Sequence, residues 1–249
     1  VNSIGIRLPV VLNWAKKNGP DVLLLQELKC TDEKFPALEF ESLGYTTAVF
    51  GQKSWNGVAI ISKHPIENVL RGLPGGDGDE QSRYIEATIK GIRIASIYLP
   101  NGNPVDSEKY PYKLAWMDRL RGHAANLLNT HGPVVLGGDY NIIPADHDCH
   151  DPVLWQGDAL FRVESRRKFR AICNLGYTEA FRALHPDTEE YTFWDYQAGA
   201  WPKNNGIRID HFLLSPAATD GLKACTIDKT PRGEDNPSDH VPITIEILL

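Results

Sequence analysis

The apolar residues of this chain come in short runs, rich in β-branched side chains and bounded by Gly, Pro, Asn or Asp. The runs "DVLLLQE" (21–27), "GVAIIS" (57–62), "RYIEATI" (83–89), "RIASIYL" (93–99), "VVLGGDYN" (134–141), "IRIDHFLLS" (207–215) and "VPITIEI" (241–247) read as strands. In the last, Val241, Ile243, Ile245 and Ile247 alternate with Pro242, Thr244 and Glu246, the pattern of a half-buried strand. Helical spacing is confined to a few places. Leu8, Val11, Leu12 and Ala15 predict a helix, with Pro9 suited to its first turn and Gly19 to its stop. Leu114, Met117, Leu120, Ala124 and Leu127 predict a second over about 107–130, and a third spans about 164–175 ahead of Gly176. Strands follow strands more often than they alternate with helices, so a layered α/β sandwich is expected rather than a doubly wound sheet. With no repeat, low-complexity tract or Ser/Gly linker, residues 1–249 read as one domain.

Bulk properties narrow the function classes. No apolar run approaches the ~18 residues of a membrane-spanning helix, so a membrane protein is not expected. Cys30, Cys149, Cys173 and Cys225 are far apart and form no C-x-x-C pair, so reduced thiols in a cytoplasm are expected rather than a disulfide scaffold or zinc knuckle. The first residue is Val1 and no secretory segment follows, which suggests a chain that begins inside a longer natural protein. The net charge of −6 speaks against wholesale adhesion to nucleic acid, but carboxylates gathered round a cation would also give an acidic total.

The informative feature is how the apolar runs meet their ends. Gln26-Glu27, Tyr98 with Asn101, Asp139 with Asn141, Asp210-His211 and Asp239-His240 all place acid, amide or imidazole groups there. In extended backbone Asp139 and Asn141 leave one face while Tyr140 leaves the other, so a carboxylate and a carboxamide can converge on one centre. A turn in which they bond to their own backbone is the alternative. Glu27 ends an otherwise buried run, where a carboxylate is costly unless paired or bound to a cation. Asp210 needs a donor; His240 is one candidate, Arg208 or Arg83 in a structural ion pair the others. Glu, Asp and Asn oxygens suit magnesium or manganese, and no zinc, nucleophile-elbow or phosphate-loop motif is present.

Together "LQELK", "YLPNG", "GGDYNIIP", "YTFWDY", "GIRIDHFLLS" and "PSDHVPI", in this order, resemble the exonuclease III family of apurinic/apyrimidinic endonucleases, within the endonuclease/exonuclease/phosphatase superfamily. The likeness runs from Asn2 to about Ile247. It implies a four-layered α/β sandwich, two mostly antiparallel mixed sheets packed face to face and flanked by helices. It implies a cytoplasmic, monomeric, Mg2+-dependent enzyme, with Mn2+ as substitute, that acts on double-stranded DNA with abasic sites or blocked 3′ ends. The expected activity is hydrolysis 5′ to the abasic site, with 3′→5′ exonuclease and 3′-phosphatase or phosphodiesterase activity.

Residue by residue, the resemblance makes Glu27 a metal ligand with Asn2 and Asp239 beside it. Asp139 would orient or deprotonate water, and Asn141 would hold a phosphate oxygen. His240, positioned by Asp210, would contact the phosphate, and Tyr98 and Asn101 would stabilise phosphate or leaving group. Whether Asp139 or His240 takes the water proton stays open. Phe193, Ile207 and Ile209 match the walls of a pocket for a flipped-out abasic sugar, with ordinary strand packing as the alternative. Trp55 and Lys29 match positions near the DNA-facing surface.

Three departures bear on the transfer. The family's first strand, ending in Trp-Asn with a ligand Asn, has no counterpart in this sequence. Ile207 stands where the family often has Trp, and Leu28 where it often has Thr. A sister phosphoesterase for inositol phosphates or sphingomyelin would share Glu27, Asp139, Asn141 and the terminal Asp-His but not the "YTFWDY…GIRID" block. A non-catalytic binding protein on the same scaffold would be expected to lack some of that polar set.

Overall fold

A computed structural model describes residues 1–248. In chain order the α-helices are α1 (Ile4–Asn18), α2 (Ala37–Glu41), α3 (Lys109–Leu128), α4 (Pro152–Trp155), α5 (Val163–Cys173), α6 (Ala180–Leu184) and α7 (Pro216–Thr219). The strands are β1 (Val22–Gln26), β2 (Thr46–Phe50), β3 (Val58–Ser62), β4 (Glu67–Arg71), β5 (Tyr84–Ile89), β6 (Ile92–Tyr98), β7 (Val134–Asp139), β8 (Thr178–Glu179), β9 (Asp210–Leu214), β10 (Leu222–Ile227) and β11 (Ile243–Ile247).

One sheet runs β4-β5-β6-β7-β9-β8, antiparallel except where β6 pairs parallel with β7. Facing it are the sheet β1-β3-β2 and the pair β10-β11. Val58, Ile60, Ile85, Ala87, Val135, Leu214 and Cys225, from all three sheets, form the core between the layers. The opposite face of β1 and β3 packs Leu23, Leu25 and Ile61 against Ile4 and Ala15 of α1 and Phe40 of α2. Across the molecule, Trp116, Met117 and Leu120 of α3 and Phe169 and Ile172 of α5 cover the outer face of the six-stranded sheet. The result is four layers, helix–sheet–sheet–helix, in which the central strands β3, β5 and β7 are buried on both faces, as their apolar-rich sequences require. Among the described residues no helix is long and apolar enough to cross a membrane, and all four cysteines are free.

Where the elements depart from the sequence reading, the reason is local. Pro9 lies inside α1, which begins at Ile4. A proline there costs about 3 kcal/mol relative to alanine, but the stripe of Ile4, Leu8, Leu12 and Ala15 packs on the β1-β3-β2 sheet and carries the helix through. Gly19 does stop it, in the left-handed conformation, its N–H bonded to Ala15 O at 2.8 Å. The run 207–215 is divided: β9 starts at Asp210, whereas Ile207 pairs with Phe193 and Cys149. The runs 134–141 and 241–247 shorten to Val134–Asp139 and Ile243–Ile247. The sequence reading missed β2, β4, β8 and β10, and every one is a sheet edge. Edge strands such as β4 expose much of both faces and so lack a clean apolar alternation.

The glycine pair before Asp139 sets how closely the layers approach. A Cβ on Gly137 would lie 2.5 Å from the Phe212 ring and 2.8 Å from Leu24 of the facing sheet. Gly138 has φ +145°, and a Cβ there would lie 2.1 Å from Ile97 O on β6. Larger residues would push β7 off its neighbours and carry Asp139 with it.

Candidate active site

Strand register brings the first polar groups together. Tyr98 of β6 is paired with Asp139 of β7, and Asp139 with Asp210 of β9. Registered neighbours project to the same face, here the face toward the second sheet layer, so three polar side chains stand in one row at one sheet end. The segment after β10 closes over this row. Trp194 N–H donates to Asp239 O at 2.9 Å and Val241 N–H to Thr192 O at 2.8 Å, which fixes the backbone on either side of His240. Its Nδ1 then lies 2.8 Å from Asp210 Oδ2, and Nε2 lies 3.8 Å from Asp139 Oδ2. Arg208, the competing partner for Asp210, is committed elsewhere: it bonds Asp148 at 2.8 Å and Glu179 at 2.8 Å in a buried network.

The electrostatics of this row follow from its burial. Burial by itself would depress the His240 pKa, but the Asp210 carboxylate and its hydrogen bond, with help from Asp139 and Asp239, raise it to about 10. Burial raises Asp139 to about 7, opposed by His240 and reinforced by Asp210 and Glu27. Tyr98 is held well above the usual phenol value by burial and then by Glu27 and Asp139, so it remains a proton donor. Its hydroxyl donates to Glu27 Oε1.

Asp139 and Asn141 do converge, but by a route the strand reading did not foresee. β7 ends at Asp139, Asn141 has φ +46°, and Asn141 N–H donates to Asp139 Oδ1 at 2.9 Å, an Asx turn. Tyr140 points the other way, into the helix-side core. The Asn141 Nδ2 donates to Leu99 O at 2.9 Å, and its Oδ1 accepts from Asn101 Nδ2 at 3.1 Å. Of this pair, Asn101 is the exposed member.

A second group of oxygens lies beside the row. Asn2 Nδ2 donates to Asp239 Oδ2 at 3.1 Å, while Asn2 Oδ1 accepts from Lys29 Nζ at 2.5 Å. That ammonium is also 3.6 Å from Glu27 Oε2. Against the cost of its burial, His240, the chain's amino group and the Asn2 bond hold Asp239 below the usual carboxylate range. Glu27, Asp239 and the Asn2 carboxamide make an all-oxygen set, the chemistry of a hard divalent cation, and the lysine among them marks a place where positive charge is favoured. Asp139, Asp210 and His240 also offer ligand atoms within 4.8 Å of one another. There the imidazole already bonds Asp210, so the all-oxygen set fits a hard cation better.

The remaining predicted residues divide. Phe193 packs edge-on against the His240 ring, with centroids 5.1 Å apart. Ile207 and Ile209 are buried with Ile143, Cys149, Leu160 and Phe161, and the partly buried Phe193 packs against that cluster. Trp55 is 69% exposed, on a loop tied to the site where Lys29 N–H donates to Asn56 O at 2.9 Å. Lys29 itself faces Asn2 and Glu27. Sequence reasoning missed Lys113, fully buried beneath Asn101 and Asn141; it offered Arg83 only as a partner for Asp210, whereas its guanidinium lies 4.9 Å from the centre of the Tyr98 ring. The signal for Lys113 was a charge on the core stripe of α3; Leu114, expected there, is only half-buried.

A family model described as the Endonuclease/Exonuclease/phosphatase family matches residues 10–240. Exodeoxyribonuclease III of Haemophilus influenzae is 31% identical over 243 residues, covering 93% of this chain and 91% of that protein. The structure of an AP endonuclease from Archaeoglobus fulgidus matches with a TM-score of 0.96 at 38% identity, covering 100% of this chain and 97% of that one. A 3′ phosphatase from Neisseria, NExo, bound to a product DNA hairpin, matches with a TM-score of 0.98 at 40% identity over the same shares. By its four layers, its polar row and these similarities, the chain belongs to the endonuclease/exonuclease/phosphatase family, in its exonuclease III and AP endonuclease branch.

Proposed function

We propose that this chain is a divalent-cation-dependent DNA repair nuclease that hydrolyses the phosphodiester 5′ to abasic sites, with 3′→5′ exonuclease and 3′-phosphatase activity. Relatives named for each of these activities match nearly the whole chain, which supports the reading. The observation that carries the chemistry is the His240 contact with Asp210 at 2.8 Å, with Nε2 turned toward Asp139. Mg2+ as the cation, an abasic or blocked 3′ end as the lesion, a monomeric state, a single domain and a cytoplasmic location belong to the same proposal.

Hydrolysis forms a bond from a water oxygen to phosphorus and breaks the bond to the leaving oxygen, so one proton must be taken and anionic charge stabilised. Asp139, its proton affinity raised to near neutrality, is suited to take the water proton. His240, whose protonated form Asp210 favours, is less suited to that role; through Nε2 it is suited to donate to a phosphate oxygen. Tyr98, which stays protonated, orients Glu27 and is a second donor beside the row. Glu27, Asp239 and Asn2 would hold the cation, which when bound would neutralise charge on the phosphate and leaving oxygen. Phe193 would present an apolar face to the sugar beside His240.

The test is a duplex oligonucleotide carrying one abasic-site analogue, incubated with magnesium or with EDTA. Strand cleavage that needs the metal is expected, with release of phosphate from a 3′-phosphorylated duplex. No cleavage with metal present, or cleavage that EDTA leaves unchanged, overturns the proposal. Hydrolysis of an inositol phosphate in place of DNA would move the chain to a sister branch.

A further inference from the structure

Lys113 is an anomaly in its helix. Tyr110, Met117, Leu120, Ala124 and Leu127 form the buried stripe of α3, and Lys113 occupies a position on that stripe with no solvent exposure. Burying an ammonium costs several kcal/mol unless strong acceptors replace water. The acceptors found are two main-chain carbonyls: Asn141 O at 2.6 Å and Asn101 O at 3.0 Å. They belong to the two residues whose carboxamides bond each other at 3.1 Å beside Asp139.

The surrounding backbone is shaped to this contact. Gly102 has φ +91°, and a Cβ there would lie 2.6 Å from Lys113 Cδ and 3.1 Å from Ala159. Only glycine lets the 101–103 loop lie directly on the lysine stem. Asn103 fixes the loop from its outer side, donating to Asn101 Oδ1 at 3.0 Å and to Asp158 Oδ1 at 3.0 Å. Burial lowers the Lys113 pKa to about 7, against the charges of Asp139 and Asp158 and with that of Arg83. A polar amino group is therefore kept in a place where an aliphatic side chain would pack more cheaply, held by its bonds to the two carbonyls.

We propose that Lys113 is a positioning residue for phosphodiester hydrolysis: its buried amino group clamps the Asn101 and Asn141 main chains so that their paired carboxamides stay beside Asp139, where the scissile phosphate is handled. It rests on the nuclease reading above and adds to it a group that touches neither DNA nor cation. Lys113 acts through Asn141, so its contribution should vanish once the Asn141 carboxamide is gone.

The experiment is steady-state cleavage of the abasic-analogue duplex by wild type, Lys113→Met, Asn141→Ala and the double variant, each rate expressed per folded molecule. Lys113→Met is expected to lower kcat about 10–100-fold, as loss of a group that orients a reacting residue does, with KM changed less than about threefold. The double variant is expected to match Asn141→Ala alone. An unchanged kcat, or losses that multiply in the double variant, overturns the proposal. Should Lys113→Met not fold, Lys113→Gln carries the same comparison; failure of both to fold assigns the lysine to stability alone and overturns it too. A wild-type chain that cuts no DNA would instead remove the nuclease reading beneath it.

Discussion

Tyr98, Asp139 and Asp210 stand on three hydrogen-bonded strands, whereas Asn2, Glu27 and Lys29 all sit on main chain of positive φ, at +51°, +55° and +55°. The first set inherits its spacing from the sheet ladder, fixed at roughly 4.8 Å between strands. The second is held by side-chain bonds among its own members and by backbone contacts such as Ser3 N–H to Glu27 O at 2.7 Å. Left-handed conformations outside glycine cost about 1–3 kcal/mol each. One half of the site is thus rigid before substrate arrives; the other is strained and joined through a lysine ammonium. Proton handling needs groups placed within tenths of an ångström, while a cation can draw oxygens toward itself, and the two constructions suit those two tasks.

His240→Ala breaks the comparison most severely. Because the imidazole spans Asp210 and Asp139, its loss is expected to lower kcat on an abasic duplex by about 10³-fold or more, with an unchanged circular-dichroism spectrum. Turnover within tenfold of wild type would mean that the strand-borne half is not where the reaction is run.

Asp210→Asn should act more gently and with a signature in pH. His240 has its folded pKa raised from 6.5 to about 10, so its contribution to stability is complete below 6.5 and is lost as pH rises through 10. Asp139, raised from 3.8 to about 7, likewise favours the fold most at low pH and loses that contribution as pH rises through 7. In EDTA the wild type should therefore melt at progressively lower temperature from pH 7 to pH 10. Asp210→Asn, which keeps the shape but removes the carboxylate, should flatten that slope. A slope identical in both proteins would show that Asp210 does not hold the imidazolium.

These contrasts also explain what could be read in the sequence. The central strands of the two larger sheets were legible because burial on both faces leaves continuous apolar runs such as "VAIIS" of β3. Edge strands β2, β4, β8 and β10 were not, since half-exposed residues carry no such pattern. Within the site, residues at strand ends stood out as polar interruptions, and the pairing of Asp210 with His240 rather than with Arg208 needed the register of β9 to decide it. The Asn141 turn depends on a left-handed φ that the residue types only permit. Lys113 escaped because its meaning lies in two carbonyls brought to it by loops.

The smallest expected effect sharpens the comparison from the loop-borne side. Lys29 Nζ lies 2.5 Å from Asn2 Oδ1 and 3.6 Å from Glu27 Oε2, so a divalent cation held by those oxygens must displace or repel the ammonium. At about 6 Å in a water-like dielectric the repulsion between a single and a double charge is on the order of 1 kcal/mol, and salt reduces it further. Lys29→Met keeps the aliphatic stem and removes the charge. Titration calorimetry of the DNA-free protein with magnesium should then show binding tighter by about threefold, while the EDTA melting slope from pH 7 to pH 10, set by His240, stays as in wild type. Unchanged or weaker magnesium binding would mean that the ammonium helps to hold the oxygens in place instead of competing for them, and the loop-borne half would then be as preorganised as the strand-borne one.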